Sequence, residues 1–461
     1  MRIAVVGGGI SGLVTVYRLR QALGASADLT LIEGRARLGG VLRTGSVGGE
    51  PVDLGAEAFV GRRPEVPALL RELGLADQLV HPVGLRPLVW AGGRPHPLPQ
   101  RTLMGIPSGP ETVAELLDPE TVARIAGEPT RPLTWRPGGD TDVYSLVADR
   151  FGAQTVARSV DPLLGGVYAG TARSIGIRAA LPALAAALDR GATSLTAAVS
   201  AILPPPSDAP VFGALRDGYE ALIRALAEQA AAVTVRDTGV DALRRVPGGW
   251  RVDPVGEFDA VVLATPAPVT ARLLAEVAPA AARAAAGIEL SSSALVVLEL
   301  PKDTALPQNS GVLVATGEPL RAKAFTLSSR KWPHLAARDT AVVRVSFGRF
   351  GDNTTTALSD TDLLAAATAD LATVTGATIT PLSAMVQRWP GGLAQYAPGH
   401  TERVADIEAG LAGFDDLAVT GAYLNGVGVP ACVASATAAA HRIAAACAEA
   451  RPSAGAPGPN H

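Results

Sequence analysis

The sequence predicts a mixed α/β protein in which a parallel nucleotide-binding sheet is joined to an α+β region with an antiparallel sheet and to a helical insert. Three observations predict it. A glycine-broken passage from strand to helix opens the chain, a second such passage lies near its end, and a block of alternating apolar strands stands between them.

The first passage reads MRIAVVGGGISGL. Arg2 to Val6 has the length and β-branched content of a buried strand, and Ile10 to Leu23 carries apolar residues at helical spacing without proline. Gly7, Gly9 and Gly12 therefore join a strand to a helix in the G-x-G-x-x-G spacing of a Rossmann-type turn. Gly7 permits the tight turn, Gly9 lets backbone approach a pyrophosphate, and Gly12 lets the helix pack close to the strand. With Gly8, Ile10 and Ser11 they form a loop whose free N–H groups face an anion. A second strand, Leu29 to Ile32, ends at Glu33, about 20 residues beyond the last glycine, where an acid accepts hydrogen bonds from an adenosine ribose and disfavours a 2′-phosphate.

The following stretch separates the candidate dinucleotides. An NAD domain continues with further βα units, whereas here Gly34 to Thr44 supplies Arg35, Arg37, Gly39, Gly40 and Arg43, and Asp53 to Phe59 supplies Gly55, Ala56, Glu57 and Ala58. Glycine-rich loops with interspersed arginines suit a second pass along one diphosphate, which favours FAD. Each of the three arginines taken singly is equally compatible with a solvated loop.

A chain of 461 residues has room for several domains and a large core. Forty Lys+Arg against 43 Asp+Glu give a net charge of −3, with the basic residues scattered, so no nucleic acid is expected. Cys432 and Cys447 form no ligand or disulfide pattern and are read as buried thiols, with no metal site. The mean hydropathy of +0.25 owes much to alanine. Arg178, Asp189, Arg190 and the Pro204 to Pro206 run interrupt the most apolar stretches, and none reaches the ~18 uninterrupted residues of a spanning helix. No transmembrane segment is expected, and peripheral membrane contact stays open. Met1 runs almost directly into the first strand without a signal peptide, so a cytoplasmic location is expected.

Further along, Ser145 to Val160 and Leu181 to Leu188 show helical spacing within a helical insert that the Pro204 to Pro206 run closes. Tyr219 to Ala232 reads as an amphipathic helix. The strand from Phe258 to Ala264, ending in Ala-Thr-Pro, returns the chain to the nucleotide domain. Strands at Ala294 to Leu300, Val312 to Ala315, Ala322 to Leu327 and Ala341 to Phe347 suggest an antiparallel sheet that walls a separate domain. The stretch Leu417 to Pro430 is another strand, glycine loop (Gly421, Gly426, Gly428) and helix start, followed by an alanine-rich helix from about Cys432 to Glu449, so a second helix N-terminus is available to the cofactor. The Pro- and Gly-rich tail from Ser453 is expected to be disordered.

These residues resemble the oxygen-dependent porphyrinogen oxidases, flavoproteins related to monoamine oxidase and phytoene desaturase. The resemblance runs from residue 1 to about 450. Asp161 to Gly170 (DPLLGGVYAG), Ala324 to His334 (AFTLSSRKWPH), Arg388-Trp389-Pro390 and Gln395 to His400 (QYAPGH) carry its specific part, and it is nearest the actinobacterial branch. It implies FAD-binding segments at 1–78, 206–285 and 402–450, a substrate domain with an antiparallel sheet at 79–97 and 286–401, and a helical domain at 98–205. It further implies FAD-dependent, oxygen-using oxidation of coproporphyrinogen III to coproporphyrin III, with hydrogen peroxide formed, in heme biosynthesis. A protoporphyrinogen IX oxidase and a non-catalytic flavin or porphyrin carrier are the alternatives.

Residue by residue, the resemblance puts Val240 beside the adenine, Glu33 on the ribose, and Gly40 and Arg43 along the diphosphate. Gly55 to Ala58 and Trp389 fall near the ribityl chain and flavin, and Val427, Gly428 and Val429, after Gly421, at the flavin ring. Gly166 and Ala169 border the tetrapyrrole, and Arg86 is the candidate partner of a substrate propionate. No residue is assigned as a catalytic base; His334 and His400 are read as structural. Cys432 follows the glycine loop in a V-P-x-C setting, which implies non-covalent FAD. A ferrochelatase is the implied recipient of the product. The chain departs from the family's usual pattern at Ser435-Ala436, Leu393-Ala394 and Asp217-Gly218, which bears on the fit at Ala436 and leaves the phosphate loops untouched.

Overall fold

A computed structural model describes residues 1–205, 207, 209–352 and 357–449. Pro206 and the tail from Ser453 lie outside the described residues. The chain forms two compact units, each assembled from separated segments. The first comprises Met1–Gly40, Glu220–Gly287 and the chain from Val404; the second comprises Val41–Tyr219 and Ile288–Arg403.

Among the described residues the first unit holds a five-stranded parallel sheet in the order Val233–Val235, Asp28–Ile32, Arg2–Val6, Ala260–Leu263, Leu417–Val419. Four of the five residues of Arg2–Val6 are buried, as the continuous apolar run requires of a strand covered on both faces. Helices Ile10–Leu23 and Val429–Glu449 pack side by side. Ala431, Ala436, Ala439 and Ala440 on the second helix are buried, so small residues permit the close approach. The run Phe258 to Ala264 proves to be two strands: Gly256–Phe258 closes a small antiparallel meander, and Ala260–Leu263 re-enters the parallel sheet.

The second unit is built on a seven-stranded sheet: Ser383–Ala394, Leu290–Pro301, Thr340–Phe347, Ala324–Thr326, Gly311–Val314, Leu88–Ala91, Arg94–Pro97. All four expected strands are in it, but the sheet is mixed, because Gly311–Val314 pairs in parallel with Leu88–Ala91. Helix Asp360–Thr375 covers one face, where Leu363, Ala367 and Leu371 join Val296, Leu298, Val343 and Val345 in the core. Its Ser359 cap accepts the Asp362 N–H at 3.1 Å. The single helix expected over Ser145 to Val160 is broken. Gly152 adopts φ +88 after Val143–Phe151, and the chain resumes as a short turn and a π-helical segment at Val156–Val160. Pro162 has no N–H to offer the carbonyl of Arg158, and the ladder widens just ahead of it.

Candidate functional site

In the first unit the opening glycines are fixed by close backbone contacts. Gly7 has φ +108, and a Cβ there would stand 2.5 Å from the Ala264 oxygen. A Cβ on Gly12 would stand 1.8 Å from the Gly7 oxygen, so only glycine lets this helix begin so near the strand. Gly9 ends the loop with no side-chain cap on the helix, which leaves the N–H groups of Ile10, Ser11 and Gly12 without the usual hydroxyl or carboxylate acceptor. The second glycine loop lies against the first. Gly39 N–H donates to the Gly8 oxygen at 2.8 Å, and Gly9 bridges Gly39.

Glu33 supports this cradle. Its Oε2 accepts the Gly8 N–H at 2.7 Å and its Oε1 accepts the Arg35 N–H at 2.9 Å, with lone pairs left for hydroxyl donors. The Glu33 oxygen accepts the Thr238 N–H at 3.2 Å, which brings the loop before buried Val240 alongside. Arg37 Nη1 donates to Leu38 O at 3.1 Å and Nη2 to Gly40 O at 2.5 Å, so it braces its own loop. At the other end of the chain, Gly421 and Gly426 have φ +153 and +141 and open the way to helix Val429–Glu449. Val427 and Gly428 precede that helix, with Gly428 exposed and Val429 buried at its start. Both glycine turns follow the ends of parallel strands on either side of Ala260–Leu263.

In the second unit, the antiparallel pair of strands Leu290–Pro301 and Ser383–Ala394 shifts register between Ser291 and Ser293, opposite Trp389. The bulge re-aims Trp389, whose Nε1 donates to Leu54 O at 2.8 Å and whose ring lies 3.4 Å from a Cβ built on Gly55. Gly55 itself cannot carry a side chain, since its Cβ would stand 2.0 Å from the Val41 oxygen. Glu57 accepts the Ser328 hydroxyl at 2.6 Å and pairs with Lys331 at 3.3 Å and Arg344 at 3.4 Å. Burial alone would raise its pKa, but Arg344, Lys331 and Ser328 together pull it down to about 2. Trp389 is brought against Leu54 and Gly55. Arg43 donates to Gln387 Oε1 at 2.6 Å. Gly166 faces open space, and Ala169, at φ 47, ends helix Asp161–Tyr168. Arg86 is exposed on the approach to strand Leu88–Ala91.

Ser328 and Lys331 lie in the AFTLSSRKWPH stretch that carries the resemblance, without a role assigned there, and Arg344 was not singled out from sequence. A charged residue inside the apolar run Ala341 to Phe347 was the available signal for Arg344.

The parallel sheet order and the interlocked glycine loops define a dinucleotide-binding protein. The family model for flavin containing amine oxidoreductases matches residues 10–444, and the chain belongs to that family. It is a flavoprotein enzyme whose cofactor is FAD, and the uncapped helix start beside two interlocked glycine loops fits the diphosphate of that group. The chain is 53% identical to a coproporphyrinogen III oxidase of Mycobacterium leprae, over 94% of this chain and 96% of the relative. It is 54% identical to one of Mycobacterium tuberculosis, over 94% and 95%. A solved structure described as a putative protoporphyrinogen oxidase from Exiguobacterium superposes with a TM-score of 0.85 at 28% identity, covering 96% of this chain and 98% of that one.

One finding was not foreseen. Helix Val429–Glu449 is long and apolar enough to cross a membrane by length and composition alone. Its buried residues pack it against Ile10–Leu23, as in a core helix. Cys432 and Cys447 are both buried, and neither is joined in a disulfide among the described residues.

Proposed function

We propose that this chain oxidises coproporphyrinogen III to coproporphyrin III in cytoplasmic heme biosynthesis, with dioxygen as electron acceptor and hydrogen peroxide as the second product. The identity of 53% and 54% to two mycobacterial coproporphyrinogen III oxidases, along 94% of the chain, carries the proposal. When bound, FAD supplies the hydride acceptor and the route for electrons to dioxygen.

The chain's own residues bind and orient. We assign Gly7, Gly8, Gly9, Ile10, Ser11 and Gly12 to the diphosphate: the uncapped helix-start amides of Ile10, Ser11 and Gly12 face it, while Gly7 and Gly8, whose N–H groups are held by Ile32 O and Glu33, shape the turn, and Gly40 and Arg43 are assigned to the same group. Glu33 accepts the ribose hydroxyls and Val240 packs on the adenine. Gly55, Ala56, Glu57, Ala58 and Trp389 hold the ribityl and flavin side, where Glu57, kept ionised by its cations, fixes the backbone. Gly421, Val427, Gly428 and Val429 present helix-start amides to the ring. Gly166, Ala169 and Arg86 meet the tetrapyrrole, and the product passes to a ferrochelatase.

The test is a paired assay with anaerobically prepared coproporphyrinogen III and protoporphyrinogen IX, following oxygen uptake and porphyrin fluorescence. A larger kcat/KM for coproporphyrinogen III is expected. A larger value for protoporphyrinogen IX transfers the assignment to that substrate. No oxygen uptake with either, by FAD-loaded protein, identifies a carrier.

A further inference from the structure

We propose that Lys323 and Arg349 form a carboxylate-binding pair that receives a propionate of the tetrapyrrole and so selects the substrate with more propionates; this rests on the substrate proposed above. Lys323 precedes strand Ala324–Thr326, and its backbone is pinned on both sides, by its N–H to Ser346 O at 2.8 Å and its oxygen from Val314 N–H at 3.0 Å. Its Nζ donates to Gly348 O at 2.7 Å. Arg349 leaves the neighbouring strand through the same turn, where Phe350 N–H donates to Ala169 O at 2.6 Å and the Ser291 hydroxyl donates to that oxygen at 2.9 Å. These bonds seat the turn on the end of helix Asp161–Tyr168.

Arg349 donates through Nη2 to Val314 O at 2.8 Å, while its Nε is inaccessible to solvent and has no partner. Both side chains are thus tethered to carbonyls, and no carboxylate of the described residues lies within ion-pair distance of either. The acids that act on Arg349 are Asp161 and Asp352. Asp161 is already engaged by Ala172 N–H at 2.7 Å and the Thr316 hydroxyl at 2.8 Å. Burial, and then the neighbouring Arg349 charge, push the Lys323 ammonium down to about 7. A guanidinium and an amine held this way gain from an anion, which draws a proton onto Lys323 and for which the described residues supply no carboxylate within ion-pair distance.

The surroundings define the rest of the ligand. A Cβ on Gly165 would stand 3.5 Å from Arg349 Nε, and one on Gly166 would meet nothing within 4 Å. Val167 beside them is 43% exposed. An open glycine and valine face next to unneutralised cations suits an apolar macrocycle with carboxylate arms. Coproporphyrinogen III has propionates where protoporphyrinogen IX has vinyl groups, so a cation pair here discriminates between them.

The experiment titrates FAD-loaded Lys323→Met, Arg349→Met and Arg349→Lys with coproporphyrin III and with its neutral tetra-amide, following porphyrin fluorescence, alongside steady-state oxidation of coproporphyrinogen III. Each Met variant is expected to weaken coproporphyrin III binding about 10- to 100-fold while leaving the tetra-amide unaffected. KM should rise more than kcat falls, and Arg349→Lys should recover much of the affinity. Unchanged coproporphyrin III binding in both Met variants overturns the pair, and so does equal loss of acid and amide, which marks a structural role. Failure of the unaltered protein to oxidise coproporphyrinogen III rejects the substrate proposal, and the titration still judges the cations.

Discussion

Asp53 and Glu57 share one buried stretch and are driven in opposite directions. Burial pushes Asp53 up to about 7, although its Oδ1 accepts the Thr44 hydroxyl at 2.6 Å and the Tyr219 N–H at 3.0 Å. Glu57 sits at about 2 because Arg344, Lys331 and Ser328 outweigh its burial. The signs follow by linkage. Folded Asp53 holds its proton more tightly than the unfolded chain does, so its ionisation removes stability as pH rises from 3.8 to about 7. Glu57 adds stability that is complete above 4.5 and is lost as pH falls toward about 2. Asp53→Asn, whose amide oxygen can accept the same two bonds, should stabilise the protein at pH 8 by up to about 4 kcal/mol and much less at pH 4. Glu57→Gln should destabilise at pH 7 by about 3 kcal/mol, with the difference from the parent shrinking in acid. Chemical denaturation across pH checks both, and an Asp53→Asn effect equal at pH 4 and pH 8 would contradict the assignment.

Elements are joined by comparably buried charges. Glu128 and Arg150, 0% and 4% exposed, pair at 2.8 Å. Glu128 also accepts the Leu195 N–H at 2.8 Å and the Thr196 hydroxyl at 2.8 Å, which caps helix Leu195–Ile202 with a carboxylate. Arg150 donates to the carbonyls of Pro132, Glu128 and Arg131. Since all three guanidinium nitrogens are engaged, Arg150→Met strands a buried carboxylate and should lower unfolding free energy by about 3–5 kcal/mol, measured by urea titration. A loss below 1 kcal/mol would mean that water reaches Glu128. None of this pairing is visible in sequence, where Glu128 and Arg150 read as ordinary helical polar residues. What was legible is what local periodicity fixes: Arg2–Val6 and Ile10–Leu23 fall where apolar spacing puts them. Strand Ser383–Ala394 was not, because most of it is half-buried and Pro390, Gly391 and Gly392 interrupt any alternation. The glycine loops carried their chemistry openly, since a turn demanding glycine writes that demand into the chain. Lys323 and Arg349 did not, because their importance lies in having carbonyls and no carboxylate of the described residues within reach, which only folding reveals.

At the scale of the molecule, cofactor binding depends on segments far apart in the chain. Gly7 and Gly421 follow strands that flank Ala260–Leu263 in one sheet, so the first unit's cradle is complete only when the chain from Val404 docks. FAD binding should therefore stabilise that unit as a whole, by about 2.7 kcal/mol at a free concentration one hundred times Kd. Whether the bond is covalent turns on Cys432. Its thiol is 4% exposed, and burial pushes it up to about 11, with Ser11 as hydrogen-bond partner. A thiol so protonated and enclosed is a poor nucleophile toward a flavin carbon. Acid or detergent denaturation of the yellow protein should accordingly leave the flavin in the supernatant and the polypeptide colourless. Cys432→Ser should keep full flavin content and lose only modest stability, because the change affects packing. Colour that stays with denatured wild-type chain and disappears in the Cys432→Ser variant would instead establish a thioether, and would require the helix start to open far enough to ionise that sulfur.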